Sequence, residues 1–214
     1  MKTTIYMIRH GESIGNKLKR MLGHTDMGLT DLGLSQAEAT ANALADIKID
    51  AIYSSDLSRA MQTATPNAKL RQIDVFSTPD LREIYLGDWE NAAVEDLISS
   101  CYEKFTVEWR DNFGTFKAPN GESVPEVAQR MYSAVIKIAA SHPGQTIIIT
   151  THAAAIRALW GKISGISAQN LAKELPFPSN ASYSIIEYEG EKLIPIKYSV
   201  DDHLASMITV WRDE

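Results

Sequence analysis

The sequence has one cysteine, Cys101, so an internal disulfide is excluded. That suits a reducing compartment. It has no apolar run near the length of a membrane span. Arg9 interrupts residues 1–8 too soon for a signal peptide. The expected location is cytoplasmic, with no membrane partner. Positive charge is also short: 21 Lys and Arg against 27 Asp and Glu give a net charge of −6. A general nucleic-acid binder needs clustered basic residues, so nucleic acid is not an expected partner. A small phosphate pocket needs only a few local cations, and the global sign does not forbid it. No repeat, linker or low-complexity stretch divides residues 1–214, which points to one domain.

The composition is that of a soluble globular chain, 44% hydrophobic and 22% charged. Residues 3–8 read as a short buried strand ending in Arg9-His10-Gly11. Thr30 is a candidate N-cap for a helix over about 31–46. Residues 51–53 read as a second strand, followed by a polar turn and a helix carrying Arg59. Residues 73–76 suggest a third strand, and 81–90 a loop. Residues 91–118, rich in aromatics, read as a partly helical insertion near the mouth of a site. A helix follows over about 124–141. The strand at 146–150 delivers Thr151-His152 to its carboxyl end, with a helix from about 153. Residues 183–188 and 192–200 read as a hairpin. Strands alternating with helices predict a three-layer αβα sandwich with a mostly parallel central sheet.

His10 and His152 each follow a strand and precede small residues. In a parallel sheet both strand ends face one crevice, the usual ligand site of such folds. With Arg9 and Arg59 they make a cationic group suited to a phosphoryl group, because arginine's planar fork matches phosphate oxygens. Neutral histidine is also a nucleophile. Taken singly, each of these side chains has an ordinary structural reading. His24, His142 and His203 read as bystanders, with His24 the one that could border the pocket. Tyr102, Phe105, Trp109, Phe113 and Phe116 read first as packing and second as a lid. Arginines beside the histidines disfavour a bound cation, and no Cys/His/Asp spacing calls for a metal.

Several segments together resemble the histidine phosphatases, the phosphoglycerate mutase-like superfamily. They are Arg9-His10-Gly11-Glu12-Ser13 with Asn16; Gly23-His24-Thr25-Asp26 with Leu29-Thr30-Asp31-Leu32-Gly33; Ser54-Ser55-Asp56-Leu57-Ser58-Arg59; Leu81-Arg82-Glu83 through Gly87-Asp88-Trp89-Glu90; and Thr150-Thr151-His152. None is specific alone; their order is. The resemblance implies that His10 is the nucleophile and forms a phosphohistidine. It implies that Arg9, Arg59 and His152 hold the phosphoryl oxygens, with Asn16, Thr25 and Ala153 contributing to phosphate or substrate binding. Glu83 would protonate the leaving oxygen, with Glu12 and Glu90 as alternatives. No cofactor or metal is implied, since the cations supply the charge neutralisation that phosphoryl transfer needs.

The chain departs from the family pattern at two places. Ala153-Ala154-Ala155 stands where glycines usually follow the second histidine, and Asn91 where glycine is frequent. An alanine forced to positive φ would be strained. The mutases proper carry a Glu-Arg-His-Tyr-Gly pattern where this chain has Glu83-Ile84-Tyr85-Leu86-Gly87. A phosphatase acting on a small phosphorylated metabolite is therefore expected ahead of a phosphoglycerate mutase, and both ahead of a non-catalytic phospholigand-binding module. Monomer and homodimer are both compatible with the sequence.

Overall fold

The computed structural model describes residues 1–209. Its strands are β1 (Thr3–Arg9), β2 (Ala51–Ser55), β3 (Val75–Thr78), β4 (Thr146–Thr151), β5 (Tyr183–Glu189) and β6 (Lys192–Val200). They form one sheet in the order β3-β2-β4-β1-β5-β6. The first four pair in parallel, while β5 runs antiparallel to β1 and β6 to β5. The helices are α1 (Ile14–Lys17), α2 (Asp31–Ala43), α3 (Ser58–Arg71), α4 (Val94–Ser100), α5 (Val124–Ala140), α6 (Ala153–Ser164) and α7 (Leu171–Glu174).

The continuous apolar run of β4 explains the layering. Successive side chains point to opposite faces. Ile147 and Ile149 join a large core with Met131, Val135 and Leu159 of α5 and α6. Ile148 joins a smaller core with Ile8, Ile52, Ala64 and Leu44, on the side of α2 and α3. A sheet buried on both faces, with helices on each, is the expected three-layer arrangement.

Local chemistry sets the helix ends. Thr30 caps α2 by accepting from the Gly33 N–H at 3.0 Å. Ser123 and Glu126 form a capping box at the start of α5. Gly165, at φ +69°, closes α6. Two boundaries differ from expectation. β3 begins at Val75 rather than 73, because α3 persists to Arg71 and Gln72 closes it in the left-handed region at φ +56°. The chain then needs two residues to reach the sheet. α2 ends at Ala43 rather than near 46, where tight turns take over. Residues 91–118 hold α4, a π-helical segment (Glu103–Asp111) and a short 3-10 turn (Phe113–Thr115). Phe105, Phe113 and Phe116 from this stretch are fully buried in the large core. Among the described residues no helix is long and apolar enough to cross a membrane.

Candidate active site

β1 and β4 are neighbours in register, with Arg9 opposite Thr151. Their carboxyl ends therefore present His10 and His152 side by side, with ring centroids 5.2 Å apart. A cleft opens there, lined by Arg9, His10, Asn16, Arg59, Glu83 and Ala153 among others.

His10 is 4% exposed. Its Nδ1 lies 2.7 Å from the Gly11 carbonyl oxygen. A carbonyl only accepts, so Nδ1 carries the proton and Nε2 keeps its lone pair. The His10 backbone is anchored from far along the chain, its carbonyl accepting from Asn180 Nδ2 at 3.1 Å. Gly11 is required by close approach: a Cβ there would stand 2.4 Å from the Gly33 carbonyl oxygen of α2. Burial, then the charges of Arg59 and Arg9, push the His10 pKa well below its ordinary value. The ring is neutral at neutral pH.

The two arginines are almost wholly buried, Arg9 at 2% and Arg59 at 1% exposure. Burial lowers each to about 10, partly offset by the charge of Glu83, so both remain cationic at neutrality. Arg9 donates from Nη1 to the Pro178 carbonyl, and its Nε has no partner among the described residues. An unpartnered buried donor on a guanidinium that lines a cleft suits an anionic ligand. Arg59 donates from Nε to His152 Nδ1 at 3.2 Å, from Nη1 to the Thr25 carbonyl at 2.9 Å, and from Nη2 to the Gly23 carbonyl at 2.7 Å.

One of those contacts engages His152, the expected phosphoryl clamp. Its Nδ1 accepts from Arg59, so Nε2 bears the proton and donates to Ser55 Oγ at 2.8 Å. Both nitrogens are engaged by the protein. The side chain is fully buried and is not among the residues lining the cleft. Burial, with Arg59 and then His10 adding repulsion, holds its pKa well below the ordinary value. Thr25 also stands apart from the cleft. Its hydroxyl donates to Glu90 Oε2 at 2.6 Å, and only its carbonyl reaches Arg59.

Asn16 does line the cleft. Its Oδ1 accepts from the Ser13 N–H at 3.1 Å, Ser13 Oγ at 3.0 Å and Asn180 Nδ2 at 3.2 Å, which leaves its own Nδ2 as a donor for a ligand. The capping box at α1 holds it there.

Three carboxylates were candidates for the acid, and their surroundings separate them. Glu12 accepts from Thr30 Oγ1 at 2.7 Å and Glu90 is enclosed by donors of residues 24–25 and 86, both off the cleft. Glu83 lines it. Its carboxylate caps α6, accepting from the Ala154 N–H at 3.0 Å and the Ala155 N–H at 2.9 Å. Ile156 N–H bonds to the His152 carbonyl, so the Ala153 N–H is the one first-turn donor left. Residues 153–155 are ordinary helix, with no positive φ and hence no strain from alanine. Asn91 does adopt the left-handed conformation, at φ +59°. Asparagine tolerates that better than most residues.

The rest of the cleft is apolar: Met21, Leu22, Ile84, Leu86, Trp109 and Phe177, with Arg20 as an additional cation. Sequence reasoning missed Phe177, Arg20 and Asn180, which no local pattern marks. Trp109 lay in the stretch expected to be packing or lid, and it is both core and cleft wall. Trp109 and Phe177 stack with centroids 5.9 Å apart. Arg157 lies over the Phe113 and Phe177 rings, 4.5 and 4.2 Å from their centroids. Among the described residues no group of three or more His, Cys, Asp or Glu could hold a metal ion.

A neutral histidine with a free ring nitrogen, two buried guanidiniums and a carboxylate, gathered at the carboxyl ends of parallel strands, define a phosphoryl-transfer enzyme of the α/β class. The family model described as histidine phosphatase superfamily (branch 1) matches residues 5–200. The chain belongs to that superfamily, and it is a phosphatase of the histidine phosphatase type. It is 32% identical over 213 residues to a metal-independent phosphoserine phosphatase of Arabidopsis thaliana, covering 96% of this chain and 84% of that one. Phosphoserine phosphatase 1 of Hydrogenobacter thermophilus is 29% identical over 201 residues, 94% of this chain and 93% of that one. A mycobacterial glucosyl-3-phosphoglycerate phosphatase complexed with VO3 superposes with a TM-score of 0.85 at 28% identity, over 92% of this chain and 99% of that one.

Proposed function

We propose that the enzyme hydrolyses small phosphomonoesters without metal or cofactor, through a phosphohistidine on His10. The observation that carries this is the fixed tautomer: Nδ1 donates to Gly11, and Nε2 keeps its lone pair in a cleft flanked by Arg9 and Arg59. In the first step Nε2 attacks phosphorus, the ester P–O bond breaks, and protonated Glu83 gives its proton to the leaving oxygen. In the second, water attacks phosphorus, the P–N bond breaks, and Glu83 takes the water's proton. Nδ1–H stays on the Gly11 carbonyl throughout, which offsets the positive charge of the phosphorylated ring. Arg9, Arg59, Asn16 and the Ala153 N–H are the donors for the phosphoryl oxygens. His152 serves the reaction by orienting Arg59, and Thr25 by supplying a carbonyl to it.

The substrate class is a small phosphorylated metabolite whose leaving alcohol fits beside Met21, Leu22, Trp109 and Phe177. Residues 91–118 act as an insertion of a single catalytic domain and contribute Trp109 to the outer wall of the cleft. The lone cysteine supports action in the cytoplasm.

The test is a panel of phosphomonoesters assayed with EDTA, O-phosphoserine and phosphoglycerates included. Turnover, with an acid-labile phosphoprotein present in the wild type and missing in His10→Ala, is the expected result. No turnover across the panel, or turnover that survives His10→Ala, overturns the reading. A coupled assay showing isomerisation of phosphoglycerate would favour the mutase instead.

A further inference from the structure

Arg59 carries five N–H donors, of which three are held by the protein. That leaves one N–H on each terminal nitrogen for a phosphoryl group. The direction of those two depends on what grips the others. Two of the three acceptors are backbone carbonyls, Gly23 and Thr25, in an irregular turn between α1 and α2. Something must hold that turn still.

Glu90 does so, on the side away from the cleft. Its Oε1 accepts from the His24 N–H at 2.8 Å and the Leu86 N–H at 3.0 Å. Its Oε2 accepts from the Thr25 N–H at 2.7 Å and Thr25 Oγ1 at 2.6 Å. The carboxylate lies tight against Gly23: a Cβ there, at φ +47°, would stand 1.9 Å from Oε1. The other end of the turn is tied to the start of α3, where Asp26 accepts from the Ser58 N–H at 2.8 Å and Ser58 Oγ at 2.7 Å. One carboxylate thus joins the segment bearing Glu83 to the turn that cradles Arg59. Gly23, Arg59 and Glu83 line the cleft, whereas Glu90 does not.

We propose that Glu90 is a positioning residue, which aims the Arg59 fork at the phosphoryl group by fixing the Gly23–Thr25 turn. The proposal rests on the reading of Arg59 as a phosphoryl ligand. Glu90 touches no substrate and moves no proton. Its role is geometric, with a smaller electrostatic part: burial disfavours the Arg59 cation, and the charges of Glu83, Asp26 and Glu90 oppose that.

A double-mutant cycle separates this from a merely structural role. Wild type, Glu90→Gln, Arg59→Gln and the double variant are compared for orthophosphate affinity and for kcat/KM on p-nitrophenyl phosphate. That ester has a good leaving group, so the demand on Glu83 is small. With Arg59 present, Glu90→Gln weakens orthophosphate binding by about tenfold, within the range of measured pair couplings, and in the Arg59→Gln background the loss is under about twofold. Glu90→Asp restores part of the affinity. Equal losses in both backgrounds, or no loss in either, overturn the proposal. If Glu90→Gln does not fold, the same cycle with Glu90→Asp decides by the same criterion. Wild type that binds no orthophosphate overturns the phosphoryl-site reading and this proposal with it. Unaltered binding by Glu90→Gln overturns this proposal alone.

Discussion

The two halves of the cleft are built by different physics. The inner half, around His10, Arg9 and Arg59, consists of buried polar groups, most of them tied to backbone carbonyls or to one another. Its residues sit at the ends of paired strands or on the helix that follows β2, so the sheet register fixes them. The outer half, around Trp109, Phe177, Met21 and Leu86, is apolar and comes from turns and the 91–118 segment. Directional bonds hold a phosphoryl group in one orientation. Packing contacts accept any leaving group of suitable size. The difference predicts that damage to the inner half lowers turnover of every substrate, and damage to the outer half changes the ranking among substrates.

The largest effect should follow His10→Ala. Removing a covalent nucleophile typically costs factors on the order of 10⁴–10⁶ in kcat, as catalytic residues acting as a unit do. The loss should be the same for aryl and alkyl phosphates. A His10→Ala loss that falls on one substrate and not another would break the division between the halves. Glu83→Gln should cost about 10²–10⁴ on alkyl esters, the range for a single positioned acid. On p-nitrophenyl phosphate the cost should shrink, because that leaving group needs less protonation. Equal losses on both would deny Glu83 the role of acid.

The inner half also makes the fold sensitive to acid. His10 and His152 are buried neutral, with pKa values well below the ordinary one. The unfolded chain protonates both near the free value of about 6.5, and the folded chain does not. Below that pH the unfolded state binds more protons, so stability falls as pH falls. Each histidine contributes up to about 1.4 kcal/mol per pH unit in this window. Denaturant melts at pH 7.5 and 5.5 should show a smaller loss in His152→Gln than in the wild type. The acidic limb of kcat/KM should also lie below the free imidazole value, since His10 stays neutral there. An acidic limb at or above that value would contradict the neutral ring assigned to His10.

The same contrast explains how much was legible in the sequence. Strand-end residues such as Arg9 and His10 follow from local pattern, whereas Glu83, in a loop, is read only through the family resemblance; with Arg59 of α3 they line one cleft. The sheet and its layers followed from the alternation of strand and helix patterns. What escaped depends on contacts distant in sequence. Asn180 holds the His10 carbonyl across 170 residues, and Phe177 meets Trp109 only after the chain has crossed the sheet. The partner of His152 was likewise not read: Ser55 Oγ lies 2.8 Å from His152 Nε2, across 97 residues. Asn91 marks the opposite case. It stands where glycine is frequent, and at φ +59° it adopts the left-handed conformation that glycine takes readily.

The smallest expected effect tests the outer half most directly. Trp109 contacts Phe113, Phe116 and Phe177, so Trp109→Ala would open the wall and also cost core stability. Trp109→Phe keeps an apolar ring and is the cleaner change. Modest changes of apolar fit in a pocket are worth about 1 kcal/mol, the lower end of the range for a missing methylene. Kinetics for Trp109→Phe should therefore show KM shifts of about tenfold or less, larger for bulky alkyl phosphates than for methyl phosphate, with kcat nearly constant. The reason is that a wall contacting only the leaving group binds ground and transition states alike, which moves KM without moving kcat. A uniform fall in kcat across both substrates would mean that the aromatic wall also holds the phosphoryl site in place, through Phe177 and Arg157, and the two halves would have to be treated as one.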